Sequence, residues 1–162
     1  NSGKASVRED GQYGLIDTNG IFTLRPQYDL LVYLDEFYGI RSQKEWSLIS
    51  AEGVLASPDS YESLDALGQG FILFKLKGKY GVFENGVNLL LPAVYTSIEL
   101  IQDYFLVESA ADMFVYILDK KGKLATTIGF DKVTVLNKQC LLVTKNDISA
   151  YFRLADGKLI HL

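Results

Sequence analysis

Cysteine and histidine each occur once in this 162-residue chain, and proline three times. A lone cysteine, Cys140, excludes an internal disulfide and reads as a small buried hydrophobe in "KQCLLV". His161 stands beside the C-terminus, and a His161–Cys140 dyad would join two strands with no supporting motif. Neither G-x-G-x-x-G nor G-x4-G-K-[ST] occurs, so the glycines do not form a nucleotide loop, and no cofactor is expected. The acids of "DEF" (35–37), Asp59 and Glu62 lack the spacing of a calcium loop. No carboxylate pair points to a glycosidase, and no Asn-x-Ser/Thr sequon is present. Sixteen Lys and Arg against twenty Asp and Glu leave a net charge of −4, which argues against duplex nucleic acid as a partner. No apolar run approaches the roughly 18 residues of a helical membrane span. Lacking an initial Met or a signal-like stretch, the sequence reads as a mature or excised fragment.

What the chain has is repetition. "QYGLIDTNG" (12–20) returns as "EWSLISAEG" (45–53) and "KYGVFENG" (79–86), then more loosely as "FVYILDKKG" (114–122) and "AYFRLADG" (150–157). The closing glycines Gly20, Gly53, Gly86, Gly122 and Gly157 are spaced 33, 33, 36 and 35 residues apart. A second phrase keeps the same beat: "RPQYD" (25–29), "SPDSYE" (57–62), "LPAVYT" (91–96) and a degenerate "IGFDK" (128–132). Helical arrays share this period. Helices, however, need apolar residues three and four apart over at least about ten positions. Here the apolar runs are short, rich in Val, Ile, Leu, Tyr and Phe, and broken by Gly, Asn or Asp. The units are β.

Each unit reads as three strands joined by tight turns and followed by a connector. The turn glycines supply positive φ, and Asp17 and Asp119 are placed to accept turn amides. The expected fold is all-β, with three-stranded antiparallel meanders in tandem, stacked as an open superhelical or propeller-like β array. The approximate units are 5–37, 38–70, 71–104, 105–139 and 140–162, in one domain spanning 1–162. The first unit owns its first strand, "ASVRE", and the fifth ends at its third, "KLIHL", which favours an open array over a strand-sharing ring.

The phrases "GQYGLID…G…RPQYD" and "GKYGVFENG…LPAVY" resemble the bacterial WG (KWG) repeats, with Tyr13 and Tyr80 in the Trp place. "EWSLIS" keeps Trp46 but has Ser47 for the glycine, and Tyr116 and Tyr151 stand where a glycine is expected in the last two units. The resemblance implies a non-catalytic tandem β array, often in envelope or secreted bacterial proteins, with no shared active site. An extracytoplasmic location is the corresponding expectation.

Residues at a fixed phase read as framework: Tyr13, Trp46 and Tyr80, Tyr28, Tyr61 and Tyr95, and the five turn glycines. The rings are expected to fill gaps between units, and Gly14 to leave room for a neighbouring aromatic. Off-beat aromatics Tyr33, Phe74 and Phe83 are the candidates for exposed contact. Lys75 and Lys77, with Lys79, alternate in "FKLKGKY" and form a candidate basic row for a partner, or a defended edge. Contacts are expected on the connectors 29–37, 62–70, 96–104 and 131–139. A protein partner is the first expectation and a glycan the second, the latter requiring two or three coplanar off-beat aromatics, such as Tyr33, Phe74 and Phe83, in one exposed groove.

Overall fold

A computed structural model describes residues 3–161; it is all-β, built of sixteen strands in small antiparallel sheets. The chain divides into two compact units, residues 1–93 and 94–162.

In the first unit, β1 (Lys4–Glu9), β2 (Gln12–Asp17) and β3 (Phe22–Tyr28) make one sheet. The second sheet is β4 (Leu30–Leu34), β5 (Phe37–Ser42) and β6 (Glu45–Ile49). A fourth segment is bridged onto it at Trp46–Tyr61 and Ile49–Leu55. β7 (Ser63–Gly68), β8 (Phe71–Leu76) and β9 (Lys79–Glu84) follow, flanked by the start of β10 (Asn88–Ile101). In the second unit, residues 95–101 of β10 pair with β11 (Tyr104–Ser109), which pairs with β12 (Val115–Asp119). The last sheet is β13 (Lys132–Asn137), β14 (Cys140–Lys145), β15 (Ile148–Arg153) and β16 (Lys158–His161).

The repeat is therefore four-stranded. The segments read as connectors carry β4, β7, the second part of β10, and β13. Their period-two pattern is weak because apolar residues stand at consecutive positions, as in Leu30–Leu34 and at Val135–Leu136, and this hid them beside the glycine-marked phrase. Pro26 likewise lies inside β3, an edge strand, where its missing N–H interrupts no ladder.

Two-residue turns join the hairpins. Gln43–Lys44 and Asn146–Asp147 have positive φ at both positions, as do Asp10–Gly11 and Lys77–Gly78. That geometry matches the right-handed twist of the flanking strands. The five phase-locked glycines all have φ between 66° and 80°. Asp17 Oδ1 accepts the amides of Asn19 and Ile21 at 2.9 Å, and Asp119 Oδ1 those of Lys121 and Lys123.

Within each unit, neighbouring sheets bury a face against one another. Leu15 of the first packs with Tyr38, Ile40 and Ile49 of the second. Leu48 and Tyr61 then pack with Leu64, Ile72, Phe74 and Phe83 of the third. In the second unit Leu106, Ile117 and Phe130 pack with Leu141, Val143, Ala150 and Phe152. Alternation along each strand sends successive apolar residues to the two neighbours, so no meander needs a core of its own.

Close approach of backbones explains the small residue after the repeated aromatic. A Cβ on Gly14 would lie 2.5 Å from Leu24 O and 2.7 Å from Pro26 N. Space is therefore reserved for the adjacent strand, not for a ring. At Gly81 the same Cβ would meet Leu91 O at 2.7 Å and the Phe74 ring as well. By register Tyr116 does occupy this place, opposite Val107, but in the last sheet Ala150 fills it, opposite Val143. Tyr151 sits one residue on.

Candidate interaction surface

Burial separates the predicted residues. Phe74 and Phe83 are 3% and 7% exposed and stack on each other with centroids 4.4 Å apart. Off-beat in sequence, they sit at the strand register that packs between sheets, so neither can be an exposed contact. Tyr33 is half exposed and meets the buried Tyr38 edge-on at 5.4 Å. The three do not share a groove face.

Lys75, Lys77 and Lys79 do not form a row on one strand. Lys75 lies on β8, Lys77 in the turn with φ 51°, and Lys79 opens β9. Pairing of Lys75 with Tyr80 and of Leu76 with Lys79 puts Lys75 and Lys79 on opposite sheet faces. Lys75 is also engaged, 3.9 Å from Glu62 and 5.3 Å from the Tyr80 ring centroid.

That last contact repeats. Arg8 lies over Tyr13 at 5.3 Å and Arg41 over Trp46 at 5.7 Å, and both couples are cross-strand register pairs. The first repeated aromatic is thus half-buried and covered by a cation, an arrangement worth about 0.5–1 kcal/mol at such sites. Arg41 Nε is buried with no hydrogen-bond partner. In the fourth and fifth sheets both members change together, to Glu108 with Val115 and to Thr144 with Ser149. The signal was present in sequence as a base five residues before each ring.

Tyr61 behaves differently. It is 2% exposed, edge-on to Phe74 at 5.2 Å and Phe83 at 5.9 Å, and its hydroxyl bonds Ser57. Burial raises its phenol pKa. Tyr28 and Tyr95 are half-buried at the corresponding place, and desolvation raises Tyr95 too.

A 280 Å³ cleft opens where the turns of the first unit gather, lined by Asp35, Glu36, Phe37, Gly70, Asn85 and Gly86 among others. Asp35 Oδ2 accepts the Gly70 amide at 3.1 Å, and Gly70 O accepts the Asn85 amide at 2.8 Å. Gln102 makes the matching link to Lys138 O in the second unit, so turns of consecutive sheets are tied at one end. The cleft offers carboxylates and amides for hydrogen bonding but holds no histidine or cysteine. Among the described residues no three His, Cys, Asp or Glu side chains gather as a metal site. Described helices long and apolar enough to cross a membrane are also absent. Cys140 is half-buried on β14, and the side chain of His161 lies outside the described residues.

The feature that recurs on the outside is apolar. Within three residues after each turn glycine of the first unit come two exposed apolar side chains: Ile21 and Phe22, Val54 and Leu55, and Val87 and Leu89 on either side of Asn88. In the second unit Leu124 and Ile160 keep the phase. Exposed apolar residues are ordinary when scattered, as Tyr33, Val94, Met113, Ile128, Val135, Leu136 and Ile148 are; the set after the turn glycines is in register with the repeat.

No family profile matches the sequence, nor does any curated protein. Solved structures do show likeness. Hsv2p of Kluyveromyces lactis is 11% identical with a TM-score of 0.45, over 97% of this chain and 58% of that one. The N-terminal domain of Nup159 is 8% identical with a TM-score of 0.46, over 99% and 58%. PorZ, a bacterial surface component of the type-IX secretion system of Porphyromonas gingivalis, is 14% identical with a TM-score of 0.36, over 96% and 25%. The chain thus spans well under two thirds of each of these proteins. Likeness at this level decides nothing about activity.

Proposed function

We propose that this chain is a non-catalytic repeat module for protein–protein interaction, of WG type, in a bacterial envelope or secreted protein. Within each unit its small antiparallel sheets stack face to face. The observation that carries the reading is the phase-locked row of exposed apolar residues after the turn glycines, Ile21 to Leu89 in the first unit. Polar side chains are spent on turns and registers, as at Asp17, Asp35 and Asp119. Among the exposed side chains of each repeat are apolar ones at this phase, most of them aliphatic, and desolvating such side chains contributes about 25 cal/mol per Å² to binding. The glycan alternative needed Phe74 and Phe83 on the surface and loses its support with their burial. The test is to replace Ile21, Val54, Leu55 and Leu89 with Ser or Thr and measure partner capture by pull-down. Binding should fall at least about tenfold with the unfolding midpoint little changed. Unchanged binding would remove the row from the reading.

A further inference from the structure

The cleft between the second and third sheets has a counterpart between the fourth and fifth, and the two differ in charge. Phe37 opens β5, and its ring lies where a Cβ on Gly86 would go. Tyr104 opens β11, and its hydroxyl stands 2.9 Å from the Cβ position of Gly157. Asp35 accepts the Gly70 amide, and at the matching place Gln102 donates to the Lys138 carbonyl. Asn85 N donates to Gly70 O at 2.8 Å, as Leu154 N does to Gln139 O at 2.9 Å. Asp35 and Glu36 thus correspond to Gln102 and Asp103, and Gln69 and Gly70 to Lys138 and Gln139.

Room is the first difference. Gly70 and the exposed Asn85 stand where the second unit has Gln139 and Leu154, the latter buried in its core. The smaller pair lines the 280 Å³ cleft.

Charge is the second. In the second unit Asp103 holds Lys120 at 2.6 Å, and Lys138 adds another base. Ser50 and Asp119 close the turns before Gly53 and Gly122 with the same two backbone bonds, so Ala51 is the counterpart of Lys120. The first unit therefore turns Asp35 and Glu36 toward its cleft without a base. No Lys or Arg is among the lining residues, and neither acid takes part in an ion pair among the described residues.

Elsewhere this chain answers a ring beside a carboxylate with a cation of its own. Lys75 lies 3.9 Å from Glu62 and 5.3 Å from the Tyr80 ring centroid. Lys145 lies 3.4 Å from Asp131 and 3.0 Å from the Phe114 ring centroid. The cleft brings Phe37 together with Asp35 and Glu36, and with the buried Leu34 and Ile72, but the cation is missing. Carboxylates suit a charged head, and the ring and aliphatic walls suit the methylenes behind it. The volume falls just under the about 300–1,000 Å³ of drug-sized sites, which fits one side chain and not a larger cofactor. The whole net charge of −4 also falls on residues 1–93, since Lys and Arg balance Asp and Glu in the rest, and this field draws in cations.

We propose that this cleft binds an organic cation carried on a short apolar stem, the chemistry of an arginine side chain or of a free alkylguanidine. Guanidinium is favoured over ammonium because its five donors form a planar fork for carboxylates and its flat face stacks on rings. The site uses none of the exposed apolar row and goes beyond the interaction reading.

The test titrates the chain with n-butylguanidinium, n-butylammonium and the neutral n-butylurea, following amide shifts by NMR. n-Butylguanidinium should bind saturably and move the amides of Glu36, Phe37, Gly70 and Gly86. n-Butylammonium should bind more weakly, and n-butylurea at least about tenfold more weakly. Glu36 is exposed, so Glu36→Gln leaves the fold intact and should weaken n-butylguanidinium about fivefold or more. Ala51→Lys gives the first unit the base that Lys120 is in the second, and should weaken it by a similar factor. A blocked Ala-Arg-Ala tripeptide separates the sources. Binding tighter than that of n-butylguanidinium assigns the site to arginine in a polypeptide, and equal or weaker binding to a free guanidine. Equal binding of n-butylurea, or unchanged affinity in Glu36→Gln, overturns the proposal. The variant at Ile21, Val54, Leu55 and Leu89 should still bind n-butylguanidinium, so failure of the cleft and failure of the apolar row are read separately.

Discussion

Replacing Tyr61 and Trp46 in turn separates two roles that the repeat assigns to its aromatics. Tyr61 is the buried ring between sheets, in contact with Phe74 and Phe83. Tyr61→Ala removes a fully enclosed aromatic, a change that costs about 3–5 kcal/mol. Two edge-on ring contacts put it in the upper half of that range. Tyr61→Phe keeps the ring and loses only the bond to Ser57, for about 1 kcal/mol. Trp46 is half-buried under Arg41, so Trp46→Ala loses about half the burial plus one cation–π contact, about 2–3 kcal/mol. The assay is urea unfolding followed by far-UV circular dichroism, with Trp46 fluorescence reporting on the first unit in the Tyr61 variants. Tyr61→Ala must cost more than Trp46→Ala. The reverse order would mean that the first aromatic is the plug, and the packing argument would fail.

Two further outcomes follow from local geometry. Gly86→Ala should destabilise the first unit by about 2–4 kcal/mol, from left-handed strain at φ 71° and collision of the new Cβ with the Phe37 ring. Combined with Phe37→Ala the cost should be less than additive, and a strictly additive double variant would refute the collision. On acidification, Asp17, Asp112 and Asp156 matter. Their pKa values are lowered by the Ile21 amide, the Tyr116 hydroxyl and Arg153 respectively. With folded values below unfolded ones, their stabilisation is present above the ordinary aspartate range and is lost as pH falls through the folded values. The urea midpoint should drop between about pH 5 and about pH 2.5. Asp→Asn at all three should flatten that drop, and an equal drop in the triple variant would discard the assignment.

The β class and the turns were legible because they rest on local chemistry: glycines at positive φ, and Asp17 and Asp119 as amide acceptors. The fourth strand was not. "DLLVYL" and "SLDALG" alternate poorly, and only register to β5 and β8 marks them as strands. Phe74 and Phe83 misled for a related reason. Their burial depends on which face meets the next sheet, and a one-residue phase decides that. The Asp of "RPQYD" caps a turn fourteen residues on, at Gln43, a link that only the strand register reveals. The base-over-ring pairs were visible as a spacing of five, but only after the hairpin register was known.

Residue-resolved amide exchange tests the four-stranded repeat most directly. Alternate amides within Leu30–Leu34, Ser63–Gly68 and Lys132–Asn137 should be as protected as those of β5, β8 and β14. Along β1, Val7 should exchange slowly while Ser6 and Arg8 exchange fast, as expected of a strand paired on one side only. Fast exchange throughout 30–34, 63–68 and 132–137, as for connecting loops, would contradict the account.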